Sequence, residues 1–263
     1  MQNSRKMWVV VFLVVAATVT FSIRTMYSQS TKESNQICQT QENPSKQTLE
    51  ELKSQFPIAE YSPSEINNAQ MRSLRIAKNK RYDKTPLVSS GIPTEPYLII
   101  ARSDHGPIPY SALPIVESRA VVIGQILDAK AYLSNNKSGV YSEFTVRIDE
   151  VLKSDNSTKL VQGGEIAIDR EGGIVHYPNG NKGLYFVAGK GMPCLNKQYL
   201  LFLASEEISP NYQILTAYEL KEDRVLPLDG AYQFRTYKDK NISEFVKIVR
   251  GAIAKSSESA PKN

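Results

Sequence analysis

Residues 120–133 read AVVIGQILDAKAYL, residues 135–139 read NNKSG, and residues 140–152 read VYSEFTVRIDEVL. The first stretch opens as an unbroken apolar run and continues in alternation. The last places Phe144, Val146 and Ile148 two residues apart, the period that sends side chains to one face of a strand. Asn135, Asn136 and Gly139 supply the turn chemistry between them. The three stretches together predict a long antiparallel hairpin.

Downstream, the same texture repeats. Glu165–Asp169 predicts a third strand broken by Gly172-Gly173, and Ile174–Tyr177 and Leu184–Val187 flank the turn residues Pro178-Asn179-Gly180-Asn181. Gln198–Ala204 (QYLLFLA) is a continuous apolar strand, and Tyr212–Leu220 pairs with Arg224–Leu228 across Lys221-Glu222-Asp223. Strands separated by turn signals, without strand–helix alternation, point to an all-β barrel or sandwich rather than a parallel α/β sheet. Asn241-Ile242-Ser243-Glu244 is a capping-box-like start, and Phe245, Val249, Ala252 and Ile253 then define one helical face that docks on the β-domain. The domain is expected over residues 116–240, the helix over 241–255, and a disordered tail over 256–263.

Upstream, Arg5 and Lys6 precede Met7–Ile23, which carries no charge, and Arg24 closes the run. As a helix the run reaches about 26 Å, at the lower limit for a bilayer. Residues 1–27 are therefore expected to form an uncleaved transmembrane signal anchor. The alternative is a secretory signal, with Thr20 and Ser22 as a weak cleavage site and the rest secreted. Either reading sends the remainder out of the cytoplasm, facing the periplasm in a Gram-negative bacterium.

Residues 28–61 read as a flexible stalk, polar over Ser28–Ser45, with a short helix over Gln47–Phe56. Ser62-Pro63-Ser64-Glu65 has the form of a capping box, which predicts a helix from about Pro63 to Asn79. Its second half is basic, with Arg72, Arg75, Lys78, Lys80, Arg81 and Lys84. A solvated face is the favoured reading of that run, and contact with anionic headgroups the other. Six prolines between Pro86 and Pro114 then indicate an extended connector with at most one edge strand, Tyr97–Ala101. Capped helix and connector together occupy residues 62–115.

Charge separates function classes. The chain holds 32 Lys and Arg against 27 Asp and Glu, for a net +5. Residues 1–30 carry 3 basic and no acidic residues, whereas residues 116–240 carry 15 basic and 16 acidic. A nucleic-acid binder concentrates cations on its binding domain. This β-region does not, so no nucleic-acid partner is expected.

The order of the paired strands VVIGQILDAKAYL and YSEFTVRIDEVLK, a later YLLFL strand, then YELKEDRVLPLDG and a final helix, resembles uncharacterised bacterial exported proteins. Their core is similar to the netrin and tissue-inhibitor-of-metalloproteinase type of OB-fold barrel. The resemblance covers residues 115–253 and implies a mainly β, OB-like small antiparallel barrel with a C-terminal helix. The eukaryotic modules of this type carry several disulfides and inhibit through an N-terminal Cys. This chain has neither, so the resemblance does not imply protease inhibition.

Catalytic signatures are scarce. No nucleophile elbow, zinc-protease helix, phosphate loop or dinucleotide fingerprint occurs. His105 and His176 lie beside no nucleophile, and with Cys38 and Cys194 they lack the paired spacing of a zinc site. No catalytic, cofactor or metal residue is assigned, and no cofactor is expected. The adjacent carboxylates Asp149-Glu150 and Glu206-Glu207 would point to opposite strand faces. Asp169, Arg170, Glu171 and His176, around Gly172-Gly173, form the one suggestive ligand cluster, a plain turn with solvated charges being the alternative. Cys38 and Cys194 are a possible disulfide, suited to an oxidising compartment. The expected function is a membrane-anchored binding or interaction module for an unknown protein or envelope ligand. The alternative is an envelope-polymer hydrolase with its site near Asp169, Glu171 and His176.

Overall fold

The computed structural model describes residues 56–64, 66–84, 88, 92–102, 110–155, 160–205 and 211–258. The chain divides into two units, residues 1–39 and 40–263, and every described residue belongs to the second. The expected anchor, residues 47–55 of the helix expected over 47–56, Cys38, His105 and Glu206-Glu207 lie outside the described residues, whereas Phe56 is described, non-helical and buried. Among the described residues no helix is long and apolar enough to cross a membrane.

The expected hairpin is the centre of the fold. Strand β3 (Ala120–Leu133) pairs antiparallel with β4 (Val140–Ser154) along their full length, with three register shifts. The turn holds itself: Ser134 N donates to Gly139 O at 2.9 Å, Asn136 Oδ1 accepts from Ser138 N at 3.0 Å, and Lys137 takes φ 59°. Strand β4 pairs with β5 (Glu165–Glu171), and β3 pairs on its other side with β8 (Gln198–Ser205). Strand β9 (Tyr212–Lys221) pairs antiparallel with both β8 and β10 (Arg224–Pro227). It also meets β5 in a parallel seam of two residue pairs, Ile168 with Tyr212 and Asp169 with Gln213.

The chain is thus mainly β with a C-terminal helix, and its β-structure also recruits residues upstream of 116. A second sheet runs β1 (Ile58–Glu60), β6 (Gly173–His176), β7 (Lys182–Val187), β2 (Tyr97–Arg102). Strand β1 is a correction, because residues 58–60 were expected in the stalk. The β6–β7 hairpin leaves both edges open. Residues 58–60 add in parallel to β6 with Ala59 buried, and β2 adds in parallel to β7. Gly172, at φ 117°, lets the chain pass from β5 into β6, where a Cβ would lie 2.6 Å from Met192 Cε.

Helix placement needs two further corrections. The basic helix α1 spans Ala69–Arg81 and starts six residues later than the Ser62 signal implied. Asn68 Oδ1 caps it by accepting from Met71 N at 3.0 Å, while the Arg72 guanidinium donates to Ile66 O at 2.8 and 3.0 Å and holds residues 66–68 outside the helix. The C-terminal helix α2 spans Ile242–Glu258, so residues 256–258 of the expected tail are helical. Asn241 Oδ1 accepts from Ser243 N at 2.9 Å at its start. Phe245 and Val249 are buried, with Ala252 and Ile253 packed beside them, as the spacing predicted.

Three apolar clusters carry the burial. Phe144, Val146, Ile168, Leu201 and Ile214 pack together from β4, β5, β8 and β9, and Phe56, Ile174 and Leu184 bring in the second sheet. Tyr218, Phe202 and Phe234 receive Phe245 and Val249 of α2. Ala59, Val140, Val175, Tyr177 and Tyr185 join the end of the β3–β4 hairpin to the second sheet. Burying side chains of this size stabilises by about 1.5–3 kcal/mol each.

Candidate functional site

The register of β3, β4 and β5 sets one polar face. Tyr132 lies opposite Tyr141, which lies opposite Glu171, and Lys130 lies opposite Glu143, which lies opposite Asp169. Alternation places these six residues on the same side of the sheet. Two carboxylates, Glu143 and Asp169, therefore stand side by side on neighbouring strands, an arrangement that repels unless cations intervene.

Helix α1 supplies the cations. Lys78 Nζ donates to Glu143 Oε2 at 2.8 Å, and Arg75 reaches the same carboxylate at 3.4 Å while donating to Tyr141 Oη at 3.0 Å. The Arg75 guanidinium also sits 3.5 Å from the Tyr132 ring centre. Arg81 donates to both Asp169 oxygens, at 3.1 and 3.2 Å, and the Tyr82 hydroxyl donates to Asp169 Oδ1 at 2.7 Å. Tyr82 stacks on Tyr141 with ring centres 4.2 Å apart. No residue of α1 is buried. The helix is therefore fastened by ion pairs and hydrogen bonds rather than by an apolar stripe. This corrects the solvated-face reading for Arg75, Lys78 and Arg81, which face protein carboxylates, while Arg72 and Lys80 remain exposed.

Burial and charge oppose each other at the two acids. Burial pushes the Asp169 carboxyl up to about 6, against the pull of the Arg81 charge and the Tyr82 hydrogen bond. At Glu143 burial also acts upward, but Lys78 and Arg75 outweigh it and hold the group below the usual glutamate value.

The four residues of the suggested ligand cluster are each separately engaged. Asp169 is held by α1, and Glu171 accepts a bidentate pair from Arg102 of β2 at 2.6 and 2.7 Å. Arg170 points to the other face and pairs with Asp229 at 2.7 Å, both fully buried. Asp229 also accepts from Gly191 N at 3.0 Å, whereas Arg170 Nε and Nη1 are buried without a hydrogen-bond partner. His176 Nδ1 lies 3.1 Å from Glu60 of β1 at the edge of the second sheet. The cluster expected from proximity in sequence is therefore distributed over two sheet faces and a sheet edge. Among the described residues no three His, Cys, Asp or Glu side chains converge as metal ligands. Asp149 accepts from Gln198, and Glu150 pairs with Arg250 of α2. Cys194 is disulfide-bonded, and its backbone N–H donates to the buried Tyr199 hydroxyl at 3.0 Å.

A concavity lies elsewhere. Residues 58–64 and Ile66, together with α1 and the β3 end of the hairpin, line a cleft of about 690 Å³. Ile58, Ile66, Ile76, Leu133 and Tyr132 supply apolar wall, and Arg72 and Lys137 stand among the lining residues. Ile58, Ile66 and Ile76 are exposed. This volume falls within the range of small-molecule sites. Local sequence patterns do not reveal it, because its walls come from three separated segments.

No protein-family model matches the chain, and no curated protein matches it.

Proposed function

We propose that the chain is a single-pass, membrane-anchored extracytoplasmic protein whose folded part works by binding rather than by catalysis. The apolar run Met7–Ile23 behind Arg5 and Lys6 supports the anchor. The strand circuit β3–β4–β5–β9–β8–β3 supports an OB-type reading of the folded part, a five-stranded, partly open Greek-key barrel displayed outside the membrane. The netrin-like resemblance of residues 115–253 belongs to the same reading.

One observation carries the binding assignment: Asp169, Arg170, Glu171 and His176 are each committed to a different partner, so these four do not converge as acid and base on an open pocket. Among the described residues, the cleft beside α1 offers a concavity for a ligand. A hydrolase reading draws on the raised Asp169 carboxyl. That carboxyl is buried beneath Arg81 and Tyr82 and is not among the cleft-lining residues.

Site-specific photocrosslinking in intact envelopes tests the assignment. A photoreactive residue at Ile76, in the cleft, is expected to capture a discrete adduct, and one at Arg235, remote from the cleft lining, is not. Equal capture from both positions overturns the placement of the site.

A further inference from the structure

Among the residues lining the cleft, the charges are not equally answered. Arg75 is matched by Glu143, and Lys130 by Asp128 at 2.9 Å. Glu60 lies 3.1 Å from His176 Nδ1, a hydrogen-bond partner that offsets its charge only when the imidazole is protonated. Arg72 and Lys137 face no carboxylate among the described residues. Arg72 spends two N–H groups on the neutral Ile66 carbonyl, and Lys137 Nζ stands 4.1 Å from the centre of the neutral Tyr61 ring. A guanidinium has five N–H donors, so three remain. Among the described residues, two cations without a carboxylate partner thus border a largely apolar cleft whose lining also includes Glu60.

From this complementarity we propose that the cleft binds a single-chain alkyl carboxylate. The acyl chain lies against Ile58, Ile66, Ile76 and Leu133, and the carboxylate is taken at the rim by Arg72 and Lys137. The planar guanidinium fork suits a carboxylate, where two parallel hydrogen bonds add geometry to charge. The enclosed volume suits one such chain. The binding is non-covalent and involves no chemical step. The proposal rests on the binding reading of the cleft made above.

The test uses the full chain in zwitterionic lipid nanodiscs and three diazirine-bearing C16 probes: the carboxylate, the phosphate monoester and the primary alcohol. Labelled peptides are mapped by mass spectrometry for the parent and for an R72Q/K137Q variant, with unchanged alcohol labelling as the control that the cleft keeps its shape. The carboxylate is expected to label peptides containing Ile66, Ile76 and Leu133. The alcohol is expected to label them about tenfold less, and R72Q/K137Q to lower carboxylate labelling about tenfold without changing alcohol labelling. Equal labelling by carboxylate and alcohol, or no effect of R72Q/K137Q, overturns the anionic ligand but leaves the cleft as a binding site. Stronger labelling by the phosphate monoester overturns the carboxylate in favour of a lipid-phosphate ligand. If no probe labels these peptides while the Ile76 photocrosslinker still captures an adduct, the ligand class alone fails. If both are silent, the binding reading fails with it.

Discussion

Glu143 and Asp169 are direct cross-strand neighbours in the β4–β5 pair, and each is claimed by a different part of the same helix, Glu143 by Arg75 and Lys78 and Asp169 by Arg81. Two acids that would repel in isolation become the anchorage for a helix with no buried residue of its own. Because α1 is also a wall of the cleft, the carboxylate pair helps to set the shape of the cleft from outside it.

The Arg81–Asp169 contact is buried enough for its loss to be measurable. In a double-mutant cycle of R81M and D169N, a coupling free energy of about 1–3 kcal/mol is expected. Denaturant titration of the four proteins gives the value. A coupling near zero would mean that the helix is held by other contacts.

The two acids have opposite pH signatures. Asp169 binds its proton more tightly folded (about 6) than at its ordinary value of 3.8. Its contribution to stability is therefore complete below that ordinary value and declines as pH rises toward 6. Glu143 is lowered, so its contribution is present above 4.5 and is lost as pH falls through its folded value. Melting temperatures between pH 3 and 7 are expected to show D169N removing slope in the upper part of this window and E143Q in the lower part. Identical profiles for both variants would refute the assignment.

The Arg170–Asp229 pair is a separate buried anchor. D229A leaves the guanidinium without its countercharge and is expected to destabilise by about 3–5 kcal/mol. The apolar double variant R170M/D229L is expected to be more stable than D229A alone, because neither side then buries an unpaired charge. Urea midpoints compare the two.

Gly191 approaches the chain that carries Asp229 so closely that an added Cβ would lie 2.1 Å from Leu228 O. G191A is expected to displace residues 228–229 and to lower stability by about 1–3 kcal/mol through backbone movement. Thermal unfolding of G191A beside G189A, where an added Cβ meets nothing within 4 Å but φ is 81°, separates steric conflict from φ strain.

Helix α2 is an apolar anchorage, in contrast to α1. Phe245 packs between Tyr218 and Tyr237, with ring centres 4.8 and 5.2 Å away, and F245A is expected to cost about 3–5 kcal/mol. Calorimetric unfolding measures it, and a cost below 1 kcal/mol would show that α2 is peripheral.

The strands were legible because periodicity and turn residues act over short stretches. The β3–β4 hairpin, the break at Gly172 and the Phe245–Val249 face all follow from such local patterns. Strand β1 was not legible, since residues 58–60 become a strand only by meeting the open edge of β6, far along the chain. The Ser62 capping signal was outcompeted by Asn68 once Arg72 had claimed the Ile66 carbonyl. Asp169, Arg170 and Glu171 adjoin in sequence, but the alternation of β5 turns Arg170 away, and their partners sit on α1, β2 and the segment after β10. One signal was present: Arg72, Arg75, Lys78 and Arg81 recur every three residues, which sets them along one slowly winding helical stripe. Such a stripe calls for an acidic surface, and only the β4–β5 register reveals where that surface is.

Hydrogen exchange of the α1 amides, residues 69–81, in the parent and in an E143Q/D169N variant tests the electrostatic anchorage most directly. Exchange across α1 is expected to accelerate at least about tenfold in the variant while β3 and β4 keep their protection. Unchanged exchange in α1 would contradict the account, since the helix and the cleft wall it forms would then not depend on the acidic pair.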